Sequence, residues 1–421
     1  PHPGGNMPED SKIKMLIAKG VTIPNPATVE IGAEVAVERI SGKGVTFYSG
    51  TRICGEQTLI MPGVKLGYES PVTIMNCQLG PQVELKGGFF TKSVFLEKAN
   101  LGSAAQVREG CLLEEEANGA HAVGLKQTIL FPFVTLGSLI NFCDCFLAGG
   151  TSRKNHTEVG SSYIHFNYTP NQDKATPSLL GDVPRGVMLN QAPIFLGGQG
   201  GIVGPTRIGY GTVISAGTVY RGDCPEGGKL LGQTGNMAYE VNFHMGFYGD
   251  IRRRIINNIH YLANLLALRQ WYLHVRRPFF IRMDMGGELY AGAMDKLELA
   301  IAERLSRFRA LAEKMERSIA ISEKILAGAK KELLIRQKRE FMEKWPAIEA
   351  CFTDGSEAAP EDPRRDSFLA ALRKSGAEGK NYLPAIQGLD AAAAGLGTAW
   401  LQNLLDTVVN RVLDCIPSCR G

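Results

Sequence analysis

The sequence has no apolar stretch of the roughly 18 uncharged residues that a membrane-spanning helix needs, and no basic segment followed by an apolar leader. These absences predict a soluble protein of the cytoplasm with no membrane partner. The sequence also has no large excess of charge of either sign, because 46 Lys and Arg against 42 Asp and Glu leave a net charge of +4. That balance gives no reason to expect a nucleic-acid partner, and the basic run at 252–254 is expected to be a solvated helix face.

Paired cysteine motifs are absent as well. The nine cysteines are scattered along the chain and include no C-x-x-C pair. A disulfide framework and a structural zinc site are therefore not expected, and a reducing compartment fits this usage. At the start of the chain, residues 1–6 precede Met7 and are expected to be a remnant of an expression vector.

Glycine, by contrast, is abundant: the chain has 49, and most of them lie before residue 240. In the same part, aliphatic residues recur six apart, most clearly at Leu196, Ile202, Ile208 and Ile214. A period of six fits neither an α-helix nor plain strand alternation. It does fit a three-sided solenoid whose corners need small residues. An aliphatic residue followed directly by glycine recurs at 31, 66, 79, 101, 136, 159, 196 and 208.

These repeats predict a left-handed parallel β-helix over residues 7–235. Such a solenoid is an exception to the right-handed crossover preference of parallel strands. A β-sandwich with many turns is the alternative fold, and the regular spacing from Leu196 to Val219 argues against it. The repeat is irregular between residues 108 and 190, where we expect loops to leave the coil and carry the functional site.

From Tyr248 onward glycine becomes scarce and apolar residues take helical spacing. Residues 248–352 are predicted to form a helical hairpin or a coiled-coil arm, since apolar positions recur at steps of three, four or seven. The polar, proline-containing stretch 353–366 is predicted to be a linker, and residues 367–421 are predicted to form C-terminal helices. This half shows no chemical motif, and its expected role is packing or oligomerisation.

Three segments of the solenoid region resemble the acetyltransferase half of the bifunctional enzyme N-acetylglucosamine-1-phosphate uridylyltransferase/glucosamine-1-phosphate acetyltransferase, in the hexapeptide-repeat acyltransferase superfamily. The segment H-F-N-Y-T-P-N-Q-D-K (165–174) is similar to that family's C-N-Y-D-G-x-N-K loop. Residues 195–209 are similar to its F-V-G-S-D-T-Q-L-V-A-P-V-x-V-G coils, and V-G-L-K-Q (123–127) resembles its V-E-x-K-K segment. The three segments occur in the family's order.

The resemblance implies a homotrimer, with sites between neighbouring β-helices, that binds a sugar phosphate or a nucleotide sugar. It implies transfer of an acyl group from acetyl-CoA or another acyl-CoA to an amino sugar, without a metal. Asn167 and Tyr168 would bind the substrate through hydrogen bonds, and Lys126 would place a charge on its phosphate. Lys174, in the same loop, would also bind substrate.

The sequence departs from the family where the catalytic base is needed. Aligned from Gly137-Ser138, the family's catalytic histidine falls on Phe142, and its nearby tyrosine falls on Cys145. A serine that contacts the acyl donor falls on Gly198. The family's mechanism therefore does not carry over directly.

Two histidines close in the sequence are candidate catalytic residues, because acyl transfer to an amine needs a base of near-neutral pKa beside the nucleophile. His156 lies in R-K-N-H-T-E, with Glu158 as a candidate orienting carboxylate, and His165 lies in Y-I-H-F-N-Y. A structural role is the alternative for each, since a lone histidine on a strand or loop is more often structural.

The run Glu114 to Glu116 followed by His121 could indicate a metal site. Adjacent side chains of an extended strand point to opposite faces, so three neighbouring carboxylates cannot all reach one ion. A solvated corner is expected instead. His121, His156 and His165 also lack the spacing of the three-histidine zinc site of β-helix carbonic anhydrases.

The nucleotide-binding loop of the uridylyltransferase half, L-x-x-G-x-G-T-R-M, is absent, so pyrophosphorylase activity is not expected. Residues 197–201 (G-G-Q-G-G) lie within the six-residue register, and corner glycines explain them better than a phosphate loop does. The alternative to an acyltransferase is a non-catalytic trimeric scaffold that binds a sugar nucleotide and recruits a partner through its helical arm. The missing family histidine favours that alternative.

Overall fold

The computed structural model describes residues 9–165, 169–171, 173–233, 240–353, 362–376 and 379–420. Its N-terminal part is a parallel β-solenoid of about 11 turns, and a helical region follows. The predicted fold class, a left-handed parallel β-helix followed by helices, is confirmed. Residues 1–6 and most of the predicted linker 353–366 lie outside the described residues, so the domain limits stay predictions.

Each turn of the solenoid has three sides, called here the first, second and third faces in the order in which the chain visits them. The first face is a ten-stranded sheet of β2 (Thr46–Phe47), β5 (Lys65–Leu66), β8 (Glu84–Leu85), β11 (Asn100–Leu101), β14 (Asn118–Gly119), β16 (Thr135–Leu136), β20 (Glu158–Val159), β23 (Phe195–Leu196), β26 (Val213–Ile214) and β28 (Leu230–Leu231). The second face contains β1 (Glu30–Ile31), β3 (Thr51–Cys54), β6 (Val72–Met75), β9 (Gly88–Thr91), β12 (Ala105–Val107), β21 (Ser162–Ile164), β24 (Gly200–Ile202) and β27 (Val219–Tyr220). The third face contains β4 (Leu59–Ile60), β7 (Gln78–Leu79), β10 (Val94–Phe95), β13 (Leu112–Leu113), β22 (Ser178–Leu180) and β25 (Thr206–Ile208).

Two long strands, β15 (Val123–Leu130) and β17 (Ile140–Leu147), run around the corner between the second and third faces and belong to both. They join the two faces into one sheet of 16 strands. At the corner between the third and first faces the chain leaves the coil as an antiparallel hairpin of β18 (Gly150–Ser152) and β19 (Asn155–His156). The loops predicted from the irregular repeat therefore lie at corners.

The interior of the solenoid holds the aliphatic residues that recur every six positions. Leu196, Ile202 and Ile214 are fully buried, because the strand on each face points one such side chain inward. The corner between the second and third faces needs a left-handed backbone, which Gln127 and Asp144 adopt with φ of 48° and 54°. These non-glycine corners were not predicted from the sequence.

Eleven α-helices complete the described chain. They are α1 (Glu9–Lys19), α2 (Val183–Gly186), α3 (Arg252–Trp271), α4 (Arg277–Ile281), α5 (Gly286–Glu313), α6 (Met315–Ile325), α7 (Ala329–Glu343), α8 (Trp345–Thr353), α9 (Pro363–Lys374), α10 (Tyr382–Gln387) and α11 (Ala391–Cys415). A π-helical turn, Tyr272–Arg276, connects α3 to α4.

Helix α1 covers the N-terminal end of the solenoid. Its Lys12 is buried, and Nζ donates to the carbonyl oxygens of Gly32, Ala33 and Val35 at 2.9, 2.5 and 2.7 Å. Ile13 and Leu16 on the same helix are buried in the core. The helix thus supplies a donor to these carbonyls, of which Gly32 O also accepts from Val35 N, and buries the apolar end of the coil.

Helices α3 and α5 pack on the third face of the solenoid. Helix α5 contacts β7 and β10, and α3 contacts β22. Buried asparagines of α3 bind the solenoid directly: Asn258 Nδ2 donates to Ala175 O at 3.1 Å, and Asn264 Oδ1 accepts from Val183 N at 2.8 Å. The third face is therefore covered by the protein's own helices.

The expectation that Glu114 to Glu116 form a solvated corner is wrong for the first two. Tyr272 donates to Glu114 Oε1 at 2.5 Å, and Arg276 binds both carboxylate oxygens of Glu115 at 2.7 and 3.0 Å. Arg276 is only 1% exposed and stacks 3.7 Å from the centroid of the Tyr382 ring. The helices bring these partners over the corner, and burial raises the pKa of Glu114 to about 7.

The described residues include no helix with both the length and the apolar character that crossing a membrane requires. All nine cysteines carry free thiols. The outer side of the first face carries an exposed apolar ladder near its C-terminal end, formed by Phe195, Val213 and Leu230 on successive strands.

Candidate functional site

The predicted residue His165 lies at the corner between the second and third faces, directly after β21. Its Nδ1 is 2.9 Å from Thr176 Oγ1 and 3.7 Å from Asp144 Oδ2. Asp144 occupies the same corner one turn earlier, because Phe142, two positions before Asp144, pairs with Ile164, one position before His165. Both residues have positive φ, which places their side chains side by side on the outside of the coil.

Arg304 of α5 holds this pair from the helical side. Its Nη2 binds Asp144 Oδ1 at 2.7 Å, and Nη1 donates to the Lys174 carbonyl at 3.1 Å. Arg304 and Asp144 are both buried, so the contact is a buried ion pair rather than a surface one. Arg304 therefore fixes the position of Asp144 and anchors the loop that carries Lys174, another predicted site residue.

The electrostatic environment keeps His165 neutral near pH 7. Burial lowers the pKa of His165 below its ordinary 6.5, Asp144 opposes that shift, and Arg304 and Lys174 add to it. A neutral imidazole whose Nδ1 faces a carboxylate can accept a proton at its other nitrogen. These contacts occupy Nδ1 and leave Nε2 as the nitrogen that could accept a proton.

Lys126 lies at the same corner, one turn before Asp144, since its Cα pairs with that of Cys143. Its Nζ is 2.8 Å from Glu109 Oε1, and the ammonium holds the pKa of Glu109 below the usual range. Burial raises the pKa of Cys143, so this thiol is not a ready nucleophile. The structure thus brings Lys126, Asp144, His165, Lys174 and Arg304 together, a cluster called here the corner site.

His156 lies elsewhere. It belongs to the β18–β19 hairpin at the corner between the third and first faces, so the width of the third face separates it from His165. Its Nδ1 is 2.9 Å from Arg153 O. Glu158, the expected orienting carboxylate, is exposed on β20 and makes no hydrogen bond to His156 among the described contacts.

Asn167 and Tyr168, the predicted substrate-binding pair, lie outside the described residues. Phe142, where the family's histidine aligns, is fully buried with its side chain inside the coil. Cys145 is likewise fully buried. A histidine at position 142 or a tyrosine at position 145 would face the core.

Sequence reasoning missed Asp144 and Arg304. Asp144 carried a weak signal, as the only charged residue within the apolar run 139–148 (L-I-N-F-C-D-C-F-L-A). Arg304 carried no signal in the sequence, because it lies 160 residues from Asp144 in an ordinary amphipathic helix.

The solenoid and its homologues fit a protein of the hexapeptide-repeat acyltransferase type, and the resemblance to the acetyltransferase half is confirmed. No family model matches the chain. Among curated proteins it is similar to the "Bifunctional protein GlmU" of Thermotoga petrophila, with 27% identity over 235 residues, 54% of this chain and 46% of that protein. The same-named proteins of Thermotoga maritima (27% over 235 residues, 54% and 46%) and Staphylococcus haemolyticus (25% over 221 residues, 52% and 44%) are also similar. The chain spans about half the length of these relatives.

Proposed function

We propose that the corner site transfers an acyl group from acetyl-CoA or another acyl-CoA to the amine of an amino-sugar phosphate. His165 is the general base, and Asp144 orients it. Lys126 and Lys174 bind the phosphate of the sugar or nucleotide sugar, with Asn167 and Tyr168 as further substrate-binding residues. The observation that carries this proposal is the His165–Asp144 pair held in place by Arg304.

In this proposal His165 carries one proton from the attacking amine to the leaving thiolate. Neutral His165 accepts a proton from the amine as its nitrogen attacks the thioester carbonyl, and a C–N bond forms. The C–S bond then breaks, and His165 returns the proton to the leaving thiolate. The products are an amide and free CoA thiol. Lys126 would exchange its contact with Glu109 for one with the incoming phosphate.

The proposed assembly is a homotrimer in the cytoplasm. Because α3 and α5 cover the third face, the first and second faces are the ones left for neighbouring copies. The corner site borders the second face, so in the proposed trimer it would lie close to a neighbouring copy.

The proposal is tested by incubating the protein with acetyl-CoA and a panel of amino-sugar phosphates and detecting the product by mass spectrometry. Mass detection is preferable to a thiol reagent, because the protein itself has nine free thiols. We expect a product with the wild type and a loss of about 100-fold or more in His165→Gln, the usual worth of a general base. His156→Gln is the matched comparison. No product with any acceptor, or a loss in His156→Gln alone, would contradict the proposal.

The second candidate, a non-catalytic trimeric scaffold that binds a sugar nucleotide, is favoured by the buried Phe142 at the family's histidine position. Thermal unfolding separates the two candidates, since a ligand that binds only the native state raises the apparent stability. Stabilisation by acetyl-CoA supports the enzyme. Stabilisation by UDP-N-acetylglucosamine without any by acetyl-CoA supports the scaffold.

A further inference from the structure

A pocket of about 280 Å³ lies where the loop that carries Lys174 meets the junction of α5 and α6. Its lining includes Asn171 of that loop, Gly246 and Tyr248 of the segment before α3, and Lys314 and Arg317 at the helix junction. We call it the loop pocket. Sites for whole small molecules typically have volumes of roughly 300–1,000 Å³, so the loop pocket has the size for one part of a larger ligand.

The lining of the loop pocket is positively charged. Its described members include two cations, Lys314 and Arg317, and no carboxylate. Glu313 and Glu316 adjoin these cations in the sequence, but both are exposed, and neither forms an ion pair with Arg317 in the described chain. The stretch 166–172 beside the pocket contains no charged residue. The pocket therefore favours an anion.

A buried hydroxyl in the pocket wall lacks a partner. Tyr248 is only 3% exposed, yet its hydroxyl makes no hydrogen bond among the described residues. The carboxylate of Asp173 is already paired with Arg254 at 3.3 Å. Burial raises the pKa of Tyr248 to about 12, so the hydroxyl keeps its proton at neutral pH and is a donor. An anionic oxygen in the pocket would satisfy this donor.

The backbone at Gly246 positions Arg317 and the loop. Gly246 has a φ of 87°, and a Cβ added there would lie 2.8 Å from Arg317 Nε, so the bare backbone packs against the guanidinium. Gly246 N donates to Asn171 Oδ1 at 2.9 Å. The segment before α3 thus joins both walls of the pocket.

The loop pocket is connected to the corner site by one helix and one loop. Arg304 Nη1 donates to the Lys174 carbonyl at the corner site, and Lys314 Nζ donates to the Asn171 carbonyl at the pocket, each at 3.1 Å. Lys314 follows Arg304 by ten residues at the end of α5. At 1.5 Å per helical residue, the two cations are about 15 Å apart along the helix.

This spacing matches the donor of the proposed reaction. In an acyl-CoA, about 13 single bonds separate the thioester sulfur from the nearest phosphorus, and an extended chain advances roughly 1.1–1.2 Å per bond. The pantetheine arm therefore spans about 15 Å when extended. A thioester at His165 would place the diphosphate of the donor at the distance of the loop pocket.

We propose that the loop pocket binds the diphosphate of acyl-CoA, with Lys314, Arg317 and Tyr248 as the donors to its oxygens. The proposal rests on the proposed function, because it takes the acyl-CoA donor from it. It assigns a binding role to the junction of α5 and α6, which lies outside the solenoid.

Calorimetric titration of the full chain with CoA, and with pantetheine, which lacks the nucleotide, tests the inference. CoA should bind at least about tenfold more tightly than pantetheine. Arg317→Gln should weaken CoA binding about tenfold or more, as expected for lost hydrogen bonds to a charged group, and leave pantetheine binding unchanged. Arg336→Gln removes the same charge from an exposed position of α7 outside the pocket, and should change neither affinity.

Tyr248→Phe is a second variant that distinguishes binding from folding. It removes only the hydroxyl, and no described residue loses a hydrogen bond. The variant should therefore bind CoA several-fold more weakly than the wild type, with thermal unfolding of the free protein no earlier.

Because the titration needs no acceptor, this inference and the proposed reaction fail separately. If CoA binds as expected and no product forms with any acceptor, the reaction is wrong and the inference stands. Equal binding of CoA and pantetheine, or equal weakening in Arg336→Gln, would overturn the inference. So would an effect of Arg317→Gln on the binding of UDP-N-acetylglucosamine in place of CoA, or no binding of CoA by the wild type.

Discussion

At the scale of single residues, the proposed role of His165 as the base predicts how the reaction rate depends on pH. A base must be neutral to work, and burial lowers the pKa of His165 below 6.5. We therefore predict that kcat/KM falls only as the pH drops below 6.5 and stays level from pH 7 to 8. A pH–rate profile measures this. An acidic limb centred above pH 7 would show that another group is the base.

Arg304 is the residue on which this arrangement depends. Arg304→Gln should destabilise the protein by about 3 kcal/mol, because it leaves Asp144 buried without its partner. It should also raise the pKa of His165, since the positive charge that lowers it is gone. Urea unfolding and NMR titration of the histidine measure the two effects.

The double variant Asp144→Asn/Arg304→Gln provides the control for Arg304. Replacing both charges removes the unpaired carboxylate, so part of the lost stability should return. If the double variant is no more stable than Arg304→Gln alone, the cost does not come from a buried charge.

At the scale of elements, the contact between Glu114 at a corner of the solenoid and Tyr272 in the π-helical turn predicts how stability varies with pH. The pKa of Glu114 is raised to about 7 in the fold, from 4.5, so the folded state binds more protons between those values. The free energy of unfolding should therefore fall as the pH rises from 5 to 7.

Glu114→Gln removes this titration while keeping an oxygen that accepts from Tyr272. The variant should be more stable than the wild type at pH 8, by on the order of 3 kcal/mol, with a flatter pH dependence. Denaturant unfolding at pH 5 and pH 8 gives both numbers. Equal slopes in the two proteins would mean that Glu114 is ionised in the fold.

The contacts between α1 and the N-terminal end of the solenoid allow a second prediction about stability. Lys12→Met removes a donor from three carbonyls of the first turn, of which Gly32 O keeps Val35 N as a second donor, and should cost about 2 kcal/mol. Lys14→Met, on the exposed side of the same helix, is the matched control and should change the free energy of unfolding by less than about 0.5 kcal/mol. Equal losses would show that the helix does not act through Lys12.

The elements also show which parts of the fold and of the candidate site could be predicted from the sequence. The six-residue spacing predicted the solenoid because each turn repeats one local rule, an aliphatic residue inward and a small residue at the corner. It placed His165, Lys126 and Lys174 in one irregular region, and the structure brings them to one corner. It misread Glu115, because the partner that permits its burial, Arg276, is 161 residues away. No local pattern encodes such a contact.

At the scale of the whole molecule, the coverage of the third face leaves two faces for self-association. We predict a homotrimer, measurable by light scattering as three times the monomer mass. The exposed ladder of Phe195, Val213 and Leu230 on the first face is the apolar surface available for it. Val213→Glu should dissociate the trimer, whereas Lys65→Glu, an exposed substitution on the same face, should not. A monomeric wild type at micromolar concentration would contradict the prediction.

The helices that cover the third face are synthesised after the whole solenoid. The last strand, β28, ends at Leu231, and the third face is not covered until α5, which ends at Glu313, has been made. At about 5–20 residues per second, the ribosome needs several seconds to add those residues. During that time the apolar side chains of the third face are not yet covered, and such exposed surface favours aggregation of newly made chains.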